Sequence, residues 1–392
     1  MKLNTIITGK GSISPLGKTR KDIINSYSSP SSCILPHSFS MGTFPGAALH
    51  PFIEEAIDSL KSSYHLYKQL DRTVLLAIYA AREALINAAW EPGIIGINIG
   101  SSRGATETLE LRLEEFILSN KKTSSVYTSP STTLGNIASW VQQDLGTNGP
   151  EISHSITCST GMQAIANGIA WLKSGLVDKF LAGAAEAPLT DFTIAQMRAL
   201  KIYANDLSDY PCRPFAQDEP LKNTMVLGEA GIVFALEQKT IVNQDKKLAE
   251  IFSIGFGNEK LTSPSSISER GSCLFQSMKM ALEHMDTDDN IDLIICHAPG
   301  TILGDRAELN AIKSLFPDQM PMLTSNKWKI GHTLGASGLM SLEYGLALLA
   351  GEIPFSNLPY ANTLINQQRP IGKILINAAG FGGSAMSIII GK

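Results

Sequence analysis

The 392 residues, 44% hydrophobic and 17% charged, can bury a large core and exceed what one simple core usually holds, so a large two-part globule is expected. A formal net charge of −4 at pH 7 gives no general attraction to nucleic acid or to an anionic membrane surface, which sets polyanion binding aside. The five cysteines, Cys33, Cys158, Cys212, Cys273 and Cys296, are odd in number and widely separated. They lack the Cys-x-x-Cys spacing of a zinc site or redox pair, so reduced thiols and no metal are expected.

The chain opens with a short apolar run, Leu3 to Ile7, that meets Gly9, Lys10 and Gly11 at once and so lacks the apolar core of a signal peptide. No apolar stretch approaches a membrane span, and a cytoplasmic location is expected. From there β-branched apolar runs alternate with helical patterns to the end, the pattern of a layered α/β protein. Strands are predicted over 3–8, 95–100, 151–157, 179–186, 231–237, 249–256, 291–297, 373–378 and 386–390. Helices are predicted over 71–89, 106–119, 136–146, 159–174, 272–286, 304–316 and 336–350. Segment 28–66, rich in Ser, Pro, Gly and aromatics without a clear period, reads as an irregular excursion, either a lid or a long loop.

Gly9-Lys10-Gly11 is echoed by Gly255-Phe256-Gly257, each closing a strand and opening a run of alternating elements. That echo fits a duplicated fold. The polar stretch 238–247 separates the runs, so the expected division is 1–240 and 241–392.

Four clusters carry reactive groups. Strand 151–157 ends in Cys158, and a helix of small and apolar residues follows. A thiol at a helix N-terminus meets the positive end of the dipole, which favours thiolate; an inert buried cysteine fits the same setting. His297 closes a second apolar strand, where α/β proteins gather catalytic groups, and Gly300-Thr301 follows. A satisfied core histidine is the alternative. Asp305 and Glu308 share a helix face three residues apart, as would charges that merely complement the helix dipole.

The third cluster, Lys327 to Gly338, sets a Lys and a His five apart beside Gly331, Gly335 and Gly338, glycines that suggest close packing or a ligand. A solvated Lys and a core His fit these residues equally. Last, Gly380-Phe381-Gly382-Gly383 is a turn between apolar strands that can offer a backbone N–H to a developing oxyanion. It is no phosphate loop, because no Lys-Ser/Thr and no helix follow it.

In this order the motifs resemble the β-ketoacyl-acyl carrier protein synthases, the elongating ketosynthases of the thiolase-fold superfamily. The resemblance runs from Ile7-Thr8-Gly9 through Asp71-Arg72, Thr157-Cys158, Ala182 to Glu186, Arg213-Pro214-Phe215 and Gly228-Glu229. It ends in His297-x-x-Gly300-Thr301, Lys327 with Gly331-His332, and Gly380 to Gly383. It implies a thiolase-like fold, two related halves in an α-β-α-β-α layering. It also implies a dimer, with an identical subunit or with a related ketosynthase-like one.

By resemblance Cys158 is the nucleophile, His297 and His332 are the histidine pair, Lys327 is the lysine, and Asp305 and Glu308 organise the polar network. Phe381 is the gate between Gly380 and Gly382, its N–H joining that of Cys158 in an oxyanion hole, and Thr301 contacts the pantetheine arm. The implied reaction is a decarboxylative Claisen condensation: acyl transfer from acyl carrier protein to Cys158, then attack by the enolate of malonyl-acyl carrier protein. No cofactor is implied. Two histidines separate this type from thiolases, which use a second cysteine, and from initiating synthases, which carry Asn at the second His.

Departures remain: Pro299 stands where a threonine of His-Gly-Thr-Gly-Thr is expected, and Ala216 follows Arg213-Pro214-Phe215 where Asp is usual. These point to a specialised ketosynthase of a polyketide or pigment-type pathway. The rival reading is a non-catalytic partner subunit resembling the chain-length factors, and those typically lack the nucleophile. A decarboxylase or acyltransferase on the same scaffold is a further alternative.

Overall fold

The structure, a computed structural model, describes residues 3–132, 134, 136–217, 221–240, 246–263, 266–285, 290–360 and 369–392. Residues 241–245, at the expected boundary between halves, lie outside the described residues, as does position 286 at the end of one expected helix.

Twelve named strands are present among the described residues: β1 (Thr5–Ile13), β2 (Leu35–Phe39), β3 (Gly42–Gly46), β4 (Gly96–Gly100), β5 (Glu151–Ile152), β6 (Lys179–Glu186), β7 (Ala230–Gln238), β8 (Ala249–Asn258), β9 (Leu293–Ile295), β10 (Met322–Thr324), β11 (Lys373–Gly380) and β12 (Ser384–Gly391). Ten form one sheet in the order β10-β9-β11-β12-β8-β1-β7-β6-β4-β5. Cut between β8 and β1, this ladder falls into two sets of five with the same internal order. In the first set β4 lies parallel to β5 and β6, while β6, β7 and β1 run antiparallel in turn. In the second, β9 lies parallel to β10 and β11, while β11, β12 and β8 run antiparallel in turn. The short antiparallel pairing of Thr5–Ile7 with Ala249–Ile251 joins them.

Helices complete the layers. Thr160–Ser174 and Ser337–Ala350 pack on each other between the two sets of strands. Every residue of Ser337–Ala350 except Ala350 is buried, as befits a mostly apolar helix, and its one carboxylate, Glu343, pairs with Lys10 at 2.9 Å. Arg72–Asn87 covers the outer face of β1, β6 and β7, and Ser272–Leu282 covers that of β8 and β12. The result is the expected α-β-α-β-α layering.

The glycine echo has a packing cause. A Cβ on Gly9 or Gly11 would lie 2.7 or 2.2 Å from backbone atoms of Arg72–Asn87 or its C-terminal end, and on Gly255 or Gly257 it would lie 2.0 or 1.8 Å from backbone of Ser272–Leu282. In each half the first strand is therefore pressed against the helix that covers its outer face, at a distance only glycine allows.

Several elements differ from expectation. Segment 28–66 holds the β2–β3 hairpin and a capped helix, Pro51–Ser63, with Ile53, Ile57 and Leu60 buried at helical spacing. Helix Asp191–Ala199 and the three-residue β10 were not anticipated. The predicted strands 151–157 and 291–297 shrink to Glu151–Ile152 and Leu293–Ile295, because both chains turn at the strand ends to present side chains.

Gly257→Ala is expected to destabilise the protein by at least about 2 kcal/mol, since overpacking against fixed backbone has no cheap relief. Gly93→Ala, where a Cβ meets nothing within 4 Å, is expected to stay within about 0.5 kcal/mol of the parent. Denaturant midpoints measure both, and equal midpoints for the two variants would contradict the packing argument.

Candidate functional site

The parallel strands end at one place. His297 lies just past β9, Lys327 just past β10, Phe381 directly after β11, and Cys158 beyond β5. In open α/β sheets, groups converge on ligands at such carboxyl ends. Cys158 belongs to the first set of strands and the other three to the second.

Cys158 is held by a tight elbow. Thr157 has φ +46°, a left-handed conformation that costs a β-branched residue about 1–3 kcal/mol. Its carbonyl accepts from Thr160 Oγ1 at 2.6 Å, Ile156 N donates to the same Oγ1 at 2.9 Å, and Thr157 Oγ1 donates to Phe381 O at 3.2 Å. Gly380 faces the elbow, where a Cβ would sit 1.9 Å from Thr157 Oγ1 and 3.1 Å from Cys158 N. The turn that follows is open, with Gly382 at φ +98° and Phe381 44% exposed.

His332 Nε2 lies 3.2 Å from Cys158 Sγ. The His297 and His332 rings meet nearly edge to face, centroids 5.2 Å apart at 83°. Cys158, His297 and His332 share a cavity of about 190 Å³ with Thr301, Gly380 and Phe381, walled by apolar residues including Met197, Ile202, Met225 and Leu334. Lys327, Asp305 and Glu308 are buried but are not among the residues that line it.

The two carboxylates shape the histidine loop. Glu308 accepts from His297 N at 2.8 Å, Ala298 N at 2.7 Å and Asn377 Nδ2 at 2.9 Å. Asp305 accepts from Phe215 N at 2.8 Å and from Gly300 N and Thr301 N at 3.2 Å. A third carboxylate, to which sequence reasoning assigned no role, is Glu186 at the end of β6. Fully buried, it accepts from Gly335 N at 3.1 Å and from Ser102 N, fastening the loop that follows His332. A lone carboxylate closing the apolar run Lys179–Glu186 was the signal for it.

Burial governs the electrostatics. It pushes the Cys158 thiol from its ordinary 9.0 up to about 12, Glu186 adding to the rise while Lys327 opposes it. Such a rise disfavours thiolate, against the roughly 2 kcal/mol at most that a well-placed helix N-terminus supplies in its favour. Burial thus works against the thiolate expected at a helix N-terminus, and Cys158 precedes Ser159, the N-cap of helix Thr160–Ser174, and so sits outside its first turn. Burial and the Lys327 charge hold both His297 and His332 well below 6.5, and both rings are neutral. A neutral imidazole nitrogen against a thiol is an acceptor for its proton.

Burial likewise pushes Asp305 from 3.8 up to about 7, although the N–H groups of Phe215, Thr301 and Gly300 pull the other way. The folded state thus holds this proton more tightly than the unfolded chain does. The associated stability is complete below 3.8 and is lost as pH rises through about 7. Asp305→Asn, which cannot ionise, is expected to show a smaller fall in melting temperature across that window than the parent; equal falls would contradict the assignment.

Comparison with known proteins agrees with this geometry. Residues 4–240 match the family described as beta-ketoacyl synthase, N-terminal domain, and residues 248–356 match beta-ketoacyl synthase, C-terminal domain. The 3-oxoacyl-[acyl-carrier-protein] synthase 2 of Rhizobium meliloti (strain 1021) is 28% identical over an alignment of 418 residues, covering 98% of each chain. Among solved structures, the ishigamide ketosynthase/chain length factor superposes with a TM-score of 0.84 at 20% identity, covering 99% of this chain and 98% of the other. The type II PKS acyl-carrier protein in complex with its ketosynthase, AntDE:AntF, superposes at 0.83 with 20% identity and 100% coverage of both. These two likenesses concern the fold, while the domain matches run through most of the sequence, and on that ground the chain belongs to the beta-ketoacyl synthase family.

Proposed function

We propose that this chain is an elongating β-ketoacyl synthase that carries an acyl group on Cys158 and condenses it with malonyl-acyl carrier protein. The observation that carries the reading is the 3.2 Å contact between His332 Nε2 and Cys158 Sγ, with His297 beside it, inside an apolar cavity.

In the first half-reaction, Cys158 Sγ attacks the carrier thioester as His332 Nε2 takes its proton. The tetrahedral oxyanion faces the N–H groups of Cys158 and Phe381. Collapse releases the pantetheine thiolate, which recovers the proton from His332. In the second, malonyl thioester loses carbon dioxide. His297 donates from Nε2 to the thioester oxygen, and His332 joins it once its ring proton has moved from Nδ1 to Nε2, stabilising the enolate by a few kcal/mol each in a dry site. The enolate carbon attacks the acyl-Cys158 carbonyl, the sulfur departs as thiolate, and one proton from solvent restores the thiol. Burial and the Lys327 charge keep the imidazoles neutral, each with one ring proton to donate, while Asp305, Glu308 and Glu186 hold their loops.

Acyl carrier protein is the proposed partner. Exposed Arg198, Lys201, Lys222, Arg306 and Lys313 line two surface clefts that share Asn223 or Thr301 with the catalytic cavity, a setting suited to a phosphate-bearing arm on an acidic carrier. A second ketosynthase-like subunit, identical or related, completes the proposed assembly. The proposed domains are 1–240 and 241–392, and the proposed location is the cytoplasm; no helix among the described residues is long and apolar enough to cross a membrane. The partner-subunit reading does not account for a cysteine and an imidazole in contact.

With acyl-carrier thioester the parent is expected to gain one acyl group on the Cys158 peptide, and with malonyl-carrier to release a product two carbons longer. Cys158→Ala should yield neither, and Cys158→Gln should decarboxylate malonyl-carrier without condensing. Product formed by Cys158→Ala at the parental rate, read by mass spectrometry, would falsify the mechanism. His297→Ala should lower decarboxylation about a hundredfold, as loss of one preorganised donor does.

A further inference from the structure

Between β4 and helix Thr160–Ser174, where an α/β interface is ordinarily apolar, lie four polar side chains that the mechanism leaves unused. Asn98 is fully buried in β4. Its Nδ2 donates at 2.9 Å to Ile152 O and lies 2.9 Å from His154 Nδ1. A carbonyl only accepts, so Ile152 O fixes which end of the Asn98 amide points that way. His154 Nε2 lies 3.1 Å from Thr160 O, and it must therefore carry the ring proton and donate, leaving Nδ1 to accept from Asn98.

Behind Asn98 the remaining bonds take the same direction. Asn167 Nδ2 donates to Asn98 Oδ1 at 2.8 Å, and Gln163 Nε2 donates to Asn167 Oδ1 at 3.1 Å. The result is a one-way chain of hydrogen bonds from Gln163 to the carbonyl of Thr160. Burial keeps the His154 ring below its ordinary 6.5, in accord with the single proton the chain requires.

Thr160 is the hub of the elbow before Cys158, its hydroxyl bonded to both Ile156 N and Thr157 O. β4 presses on the same point: a Cβ on Gly100 would lie 2.5 Å from His154 O and 2.4 Å from Thr160 Cγ2. We propose that His154 is a positioning residue for Cys158, tying the first turn of the catalytic helix to β4 and so holding the strained Thr157 turn that aims the sulfur at His332. It touches neither substrate nor reacting atoms. A polar chain of this kind, fully buried at Asn98 and half-buried at its other members, favours one arrangement, because slipping a link at Asn98 strands a polar group in the interior.

This inference rests on Cys158 being the acylated residue. The test is the single-turnover acylation rate of Cys158 by acyl-carrier thioester in the parent, His154→Ala and His154→Gln. Loss of the two ring bonds in His154→Ala is expected to slow acylation about tenfold at saturating carrier, with the KM for carrier unchanged. His154→Gln, whose amide offers both an acceptor and a donor, is expected to recover most of the rate. Parental rates in His154→Ala, or a Gln variant as slow as the Ala variant, overturn the proposal.

Should His154→Ala not fold, Asn98→Ser releases the ring from β4 and is expected to slow acylation severalfold; a parental rate there overturns the proposal as well. A parent that does not acylate Cys158 defeats the functional reading and this proposal with it. Normal acylation in the parent and in all variants defeats this proposal alone.

Discussion

Removal of one sulfur and two imidazoles from water, beside the buried ammonium of Lys327, is the constraint on which the rest of the site depends. Cys158, His297 and His332 are each less than a tenth exposed, and in that setting every charged form is penalised. The thiol stays protonated and the rings stay neutral. A chemically useful nucleophile then has to be a pair, sulfur with nitrogen, in which the proton moves as the bond forms. Each neutral imidazole still carries one ring proton, which it donates to an enolate when that proton sits on Nε2. The buried carboxylates bond to backbone N–H groups.

The fold creates this dry place by repetition. Two five-strand sets with one internal order set the carboxyl ends of β5, β9, β10 and β11 around a shared space, and the two central helices seal it from behind. Neither half contains the pair alone, since the sulfur comes from one and the nitrogens from the other. Gly338 marks how tight the seal is, a Cβ there reaching within 2.6 Å of Met162 Cγ on the facing helix. The glycines noticed as a motif beside His332 are thus packing residues of the seam between halves.

Much of this was legible in residue order, and each miss has a physical cause. The duplicated architecture showed in Gly9-x-Gly11 and Gly255-x-Gly257; Cys158 and His297 stood out because each closes an apolar run, and His332 because it stands among glycines five residues from Lys327. The helix Pro51–Ser63 escaped because Ser- and Pro-rich flanks hid Ile53, Ile57 and Leu60, although His50 caps it and Pro51 fits its first turn. β10 is three residues long, too short to show a period. The effect of burial on Cys158 was hidden because the helix end is a local property, visible in sequence, whereas burial is contributed by residues distant in the chain, among them Met197, Met225 and Leu334. Glu186 and His154 lacked a role for the same reason: their partners, Gly335 and Asn98, lie far away in the chain.

The state of the sulfur before substrate arrives decides the matter most directly. Thiolate absorbance in the ultraviolet, taken as the difference between the native protein and Cys158→Ser, can be followed through a pH titration. A buried thiol paired with a neutral imidazole predicts no Cys158 thiolate around neutrality, with ionisation deferred toward about 12 or to unfolding. A difference signal already present at neutral pH, with its midpoint below the ordinary value of 9.0, would contradict the account and restore the helix N-terminus as the source of activation.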